Sequence, residues 1–199
     1  MTFPHHVAAV HSVIGVDAGT ATLREADHLI HELLDRLALP GSAFACTHLY
    51  RTDERRGTAV SLAVPDPDAV WRELLTALPE GTGLAWADRT HGPGDVVDAA
   101  RRAAAAPRAS GRAVVYPGVR HLTGTVTAGA VLDRTAIERL VVLGAPADEI
   151  PPGTGVLTQD HVRPEWRDGV LTLPLVPAAG GLLAPFEVPN PTPCCADHL

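Results

Sequence analysis

The stretch Thr22–Leu39, TLREADHLIHELLDRLAL, decides the fold, because its start, its buried face and its stop can all be read locally. Thr22 and Glu25 have the spacing of a capping box, in which each side chain satisfies a backbone N–H left orphaned by the first helical turn. Leu23, Ala26, Leu29, Ile30, Leu33, Leu34 and Leu37 recur at helical spacing and form one apolar face. Pro40-Gly41 stops the helix. His28, His31 and Asp35 fall on the opposite side, with Asp27–His31 and Glu32–Arg36 spaced as helix pairs. The order H-x-x-H-E is neither the zincin motif nor its inverse, so this polar face is read as solvated.

The flanks of this helix give the topology. Before it, His6–Val16 (HVAAVHSVIGV) is continuous and β-branched enough for a buried strand. After it, Ser42–Arg51 and Thr58–Pro65 are strands joined by the polar turn TDERRG, which predicts an antiparallel hairpin. Asp66–Leu78 starts with a capping Asp and an early Pro, and turns Val70, Leu74, Leu75 and Leu78 inward. Leu84–Ala87 is a short strand. The order β-α-β-β-α-β is the split βαβ unit of ferredoxin-like folds, an α+β class with an antiparallel sheet and two helices on one face.

Beyond Arg89–Gly94 the pattern changes. Gly94–Ala106 reads as a helix ended by Pro107, and HLTGTVTAGAVLD (His121–Asp133) as a strand. RTAIERLVVLG (Arg134–Gly144) reads as a short helix running into an apolar run. The remainder is β segments broken by Pro and Gly, with Pro174 placing its strand at a sheet edge. The expected organisation is residues 1–90 as the ferredoxin-like unit. Residues 91–199 are then a helix plus an irregular, mostly β unit ending in a Cys/His tail, packed on the open sheet face as one globule.

Composition sets the exclusions. A net charge of −7 over 199 residues argues against nucleic acid as the main partner, since phosphate binding wants a basic field. No run approaches the ~18 apolar residues of a membrane span. The N-terminus lacks the basic n-region of a secretory signal, so the expectation is a cytoplasmic protein. All 16 basic residues are Arg, which removes P-loop, kinase-type and Schiff-base lysine chemistry. Neither a three-glycine dinucleotide fingerprint nor a G-x-S-x-G elbow is present.

The densest set of chemically active residues is the ending, NPTPCCADHL. Cys194, Cys195 and His198 offer thiolate and imidazole ligands within five residues. Adjacent cysteines point apart in an extended chain, so this tail chelates poorly unless it folds back. Cys46 and His48 supply a target, because residues two apart on a strand project to one face. His11, on the first strand, could share that face. The expectation is a transition-metal site built from Cys46, His48, Cys194, Cys195 and His198, with zinc as the default and iron or copper as alternatives. In a catalytic version the metal activates water or polarises a substrate. Proton transfer then falls to His121, which precedes a Thr123–Thr125–Thr127 row, or to His161, in a loop with Asp160, Arg163 and Glu165.

The competing expectation is a metal-free small-molecule enzyme or ligand-binding protein. Its pocket would lie between the sheet and the second half, lined by His11, Tyr50, His121, Thr123 and Trp166. A third is a protein that docks a partner through its Pro-rich C-terminal half. A small-molecule ligand or substrate is the expected partner, with no nucleic acid, no membrane, and a homodimer admitted.

Overall fold

The capping box at Thr22 forms as its spacing requires: the Thr22 hydroxyl accepts from the Glu25 N–H at 3.2 Å, and the Glu25 carboxylate accepts from the Thr22 N–H at 3.1 Å. The structure is a computed structural model that describes residues 12–53, 55–145 and 149–189. Among these it holds four α-helices and twelve strands with antiparallel and parallel pairings, an α+β fold. Contacts divide the chain into a first unit, Met1–Pro117 with Trp166–Gly169, and a second unit, Gly118–Glu165 with Val170–Leu199.

The first unit runs β1 (Ser12–Asp17), α1 (Leu23–Leu37), β2 (Phe44–Arg51), β3 (Arg56–Val64), α2 (Pro67–Ala77) and β4 (Gly83–Trp86). It continues with β5 (Arg89–His91), α3 (Gly94–Ala104) and β6 (Arg112–Val115). These strands stand in the order β5-β4-β1-β3-β2-β6, and beyond β6 comes β10 (Glu165–Arg167). The sheet is therefore wider than the four strands the sequence pattern implies, because β5 extends one edge and β6 and β10 extend the other.

Strand alternation sends Ile14, Val16, Ala45, Val60, Leu62 and Val64 to the face covered by α1 and α2. There they form one cluster with Ala26, Ile30, Leu33, Val70, Trp71 and Leu74. One charge pair is set into this layer: Arg112 of β6 reaches Asp27 of α1 through two bonds of 2.6 and 3.0 Å, both residues buried. Asp27 thus faces into the protein instead of belonging to a solvated helix face. Arg36, also on that helix, donates to the Ala77 carbonyl at 2.9 Å. At the sheet edge, Arg89 of β5 lies over the rings of both Trp71 and Trp86, at 4.8 and 5.0 Å. This cation–π contact ties β5 to α2.

The opposite face, which the βαββαβ pattern by itself leaves open, carries α3, the helix that begins the segment expected to pack there. Two glycines permit it. A Cβ on Gly15 would stand 1.8 Å from the Ala100 carbonyl oxygen, and one on Gly83 would stand 2.3 Å from the Val96 backbone. The helix therefore lies directly on the backbone of β1 and β4, which only residues without a side chain allow. Toward β3 the packing is through small groups, Ala59 against Ala99 and Ala103.

The second unit contains β7 (Thr125–Thr127), α4 (Ala128–Arg134), β8 (Arg139–Val142), β9 (Gly155–Leu157), β11 (Val170–Pro177) and β12 (Leu183–Pro185). The order β11-β12-β9-β7 mixes an antiparallel β11–β12 pair with a parallel β12–β9 pair, and β8 pairs in parallel with β11. Three expectations fail here. The segment read as a strand from His121 is a 3-10 turn (Val119–His121), a three-residue strand and α4, whose N-cap Thr127 accepts from Ala130 at 3.2 Å. The segment read as a helix from Arg134 leaves helical geometry at Thr135. The Thr135 hydroxyl donates to the Val131 carbonyl and accepts from Ile137, and Arg139–Val142 then enters the sheet as β8. Finally, β11 is flanked by β8 and β12 and is no edge strand. Pro174 is tolerated because its carbonyl accepts from Phe186 just past the end of β12, so its missing N–H falls where that ladder has stopped.

Candidate functional site

Cys46 and His48 do project to one face of β2, together with Phe44 and Tyr50, and this is the α3 face. Register places Ser61 of β3 opposite Cys46, and the Ser61 hydroxyl is 2.8 Å from His48 Nε2. Burial pushes the Cys46 thiol up to about 12, a rise that hydrogen bonds with Trp166 and Ser61 offset only in part. Burial pushes the His48 imidazole down to about 4, so it is neutral at neutral pH. Metal ligation needs a thiolate, and the burial of Cys46 opposes forming one.

The other expected site residues are dispersed or outside the described residues. Cys194, Cys195 and His198 lie outside them, as does His11. Among the described residues no three His, Cys, Asp or Glu side chains form a group able to hold a metal ion. His121 is exposed at the end of its 3-10 turn. His161 is mostly buried and holds Glu187 through Nε2 at 3.0 Å. Trp166 packs against Phe44 at 5.7 Å, with Arg108 over its ring at 4.8 Å.

What the α3 face does assemble is a polar groove. Behind its wall lies Asp17, the last residue of β1, whose carboxylate is 0% exposed. One oxygen accepts from the Gly19 N–H at 2.9 Å; the other pairs with Arg55, from the β2–β3 connection. Arg55 also reaches Asp95 of α3 at 3.4 Å and lies over the Tyr50 ring at 4.9 Å. The Tyr50 hydroxyl is shielded from solvent and makes no well-formed hydrogen bond among the described residues. Burial, and then the negative charge of Asp17, push it up to about 12.

Two cavities open along this face. One, of about 250 Å³, is lined by Tyr50, Thr52, Arg55, Asp95, Asp98 and Arg102. The other, of about 210 Å³, is lined by His48, Ala59, Ala103 and Ser110, and shares Tyr50, Ala99 and Arg102 with the first. Both are smaller than the ~300 Å³ lower end for drug-sized ligands, so each suits a fragment-sized group.

Of this groove the sequence pointed to Tyr50 and His48 and missed Asp17, Arg55, Asp95 and Arg102. A signal existed for Asp17. It ends the apolar run SVIGVD on the alternation opposite Ile14 and Val16, in phase with Gly15, so a covered second face would bury a carboxylate there. No known family model matches the chain, and no curated protein or solved structure is significantly similar to it.

Proposed function

We propose that this protein binds a small molecule in the groove between α3 and β2, on the second face of a ferredoxin-like first half. The ferredoxin-like reading is supported by the order β4-β1-β3-β2 with every neighbour antiparallel, the order that two interlocked βαβ crossovers generate. The observation that carries the binding reading is the buried Asp17 carboxylate paired with the part-exposed Arg55, beside a cavity whose walls converge polar groups from β2 and α3. Burying a carboxylate is costly, so one held by a cation at an opening is better accounted for by a site than by stability. The test is two-dimensional amide NMR with a mixed library of neutral and charged fragments. Shifts clustered around Tyr50, Ala99 and Arg102 are expected, and a library that yields no cluster there overturns the reading.

A second reading keeps the transition-metal site, and the common face of Cys46 and His48 favours it. It requires Cys194, Cys195 and His198 to complete the ligand set, and zinc to displace the thiol proton of Cys46. His121 or His161 would move protons in that version. Elemental analysis of tag-free protein tests it, with a Cys194→Ser/Cys195→Ser variant as control. Stoichiometric metal lost in the variant is the expected result, and metal-free wild-type protein overturns it.

A further inference from the structure

The two cavities differ in charge, and the difference specifies an occupant. The larger one is bordered by Arg55, Arg102, Asp95 and Asp98, with Arg55 already committed to Asp17 and Asp95. The smaller one has a single charged wall, Arg102. Its remaining lining is apolar, Ala59, Ala99, Ala103, Ala106 and Leu49, with Ser110, Tyr50 and the His48 ring as the polar groups. Burial keeps that ring neutral.

The two arginines beside Arg102 are engaged with carboxylates: Arg55 pairs with Asp17, and Arg101 lies 3.8 Å from Asp98. Arg102 makes no ion pair or hydrogen bond among the described residues, in a chain whose net charge is −7. A guanidinium without a counter-ion at the mouth of an alanine-walled cavity presents a fork that matches an oxyanion, next to a surface that suits hydrocarbon.

We propose that the smaller cavity binds a small organic carboxylate, its anionic group on Arg102 and its apolar body against the alanine face of α3. The proposal rests on the groove reading above and narrows it to one ligand class. A carboxylate fits better than a phosphate dianion, because one cation serves the site while Asp95 and Asp98 border the adjoining cavity and repel a second negative charge. The volume limits the body to a fragment-sized group, a short aliphatic chain or a single ring.

Benzoate, its neutral isostere benzamide and inorganic phosphate separate the outcomes when each is titrated into the full chain and followed by amide NMR. Benzoate is expected to bind more tightly than benzamide and to shift Ala99, Arg102 and Ser110. Arg102→Gln is expected to weaken benzoate roughly fivefold, the upper end for an exposed ion pair, and to leave benzamide unchanged. Arg101→Gln, one residue away, is expected to change neither. Equal affinities for benzoate and benzamide at the groove overturn the carboxylate inference and leave the groove reading standing. Phosphate that displaces benzoate at equal concentration overturns the choice of carboxylate. If neither ring compound shifts groove residues, the carboxylate inference falls, and the groove reading is decided by the fragment library.

Discussion

The two faces of the first unit's sheet are made by alternate residues of the same strands, yet they are built by different rules. Under α1 and α2 the strands present Ile14, Val16, Leu62 and Val64, and branched side chains fill the layer. Under α3 the same strands present Gly15, Ser61, Cys46 and His48, and the helix answers with alanines. The first face uses large side chains to hold helices at a distance, and the buried charge pair set into it, Arg112–Asp27, is bonded at both carboxylate oxygens. The second brings a helix onto the backbone and leaves cavities where β2 diverges from it. On the proposed binding reading, stability and binding fall on opposite sides of one sheet.

This contrast can be broken by substitution. The largest effect is expected for Arg112→Ala, which strands the buried Asp27 carboxylate and should cost about 4 kcal/mol in urea unfolding. Adding Asp27→Asn should recover part of that loss; a cost near zero for the single variant would mean that the helix face does not depend on its ion pair. Next, Gly15→Ala forces a methyl into the Ala100 carbonyl and should cost about 3 kcal/mol. It should also abolish fragment binding in whatever fraction stays folded, and retained binding would detach the groove from α3.

The third effect is a pH dependence. The folded-state pKa of His48 is about 4 against an ordinary 6.5, so the unfolded chain binds its proton more readily. Its contribution to stability is complete above about pH 6.5 and is lost as the pH falls toward about 4. A His48→Gln variant should flatten the unfolding profile across that window, and an unchanged profile would show that His48 is not buried as described. The smallest effect sharpens the comparison: Cys46→Ala should cost about 1 kcal/mol, against about 3 kcal/mol for Leu62→Ala on the other face. Equal costs would erase the distinction between the faces.

Much of the first unit is legible in the sequence because its signals are local. The Thr22–Glu25 box, the leucine stripe of α1, the Asp66-Pro67 start of α2 and the polar turn between β2 and β3 each sit within a few residues. The placement of α3 is not local. It depends on Gly15 and Gly83 meeting Ala100 and Val96, and a glycine in a strand does not announce which helix approaches it. The same holds for β8, whose residues read as helical until their pairing with Leu173 and Leu175 is known. At the site, alternation alone places Cys46 and His48 on one face, whereas their neighbour Ser61 depends on the β2–β3 register. The groove's charges come from the end of β1, a connection and a later helix, and no spacing rule joins Asp17 to Arg55 and Asp95.

The tryptophans are distributed in a way that has practical value. Trp71 and Trp86 sit 6.3 Å apart with Arg89 across them, in contact with the α1/α2 layer, while Trp166 packs on Phe44 beside Cys46. Each side of the sheet thus carries its own intrinsic fluorophore. Replacing Trp71 and Trp86 by Phe would leave a single emitter on the groove side, so that events in the groove and loosening of the aliphatic layer could be followed as separate optical signals from one unlabelled chain.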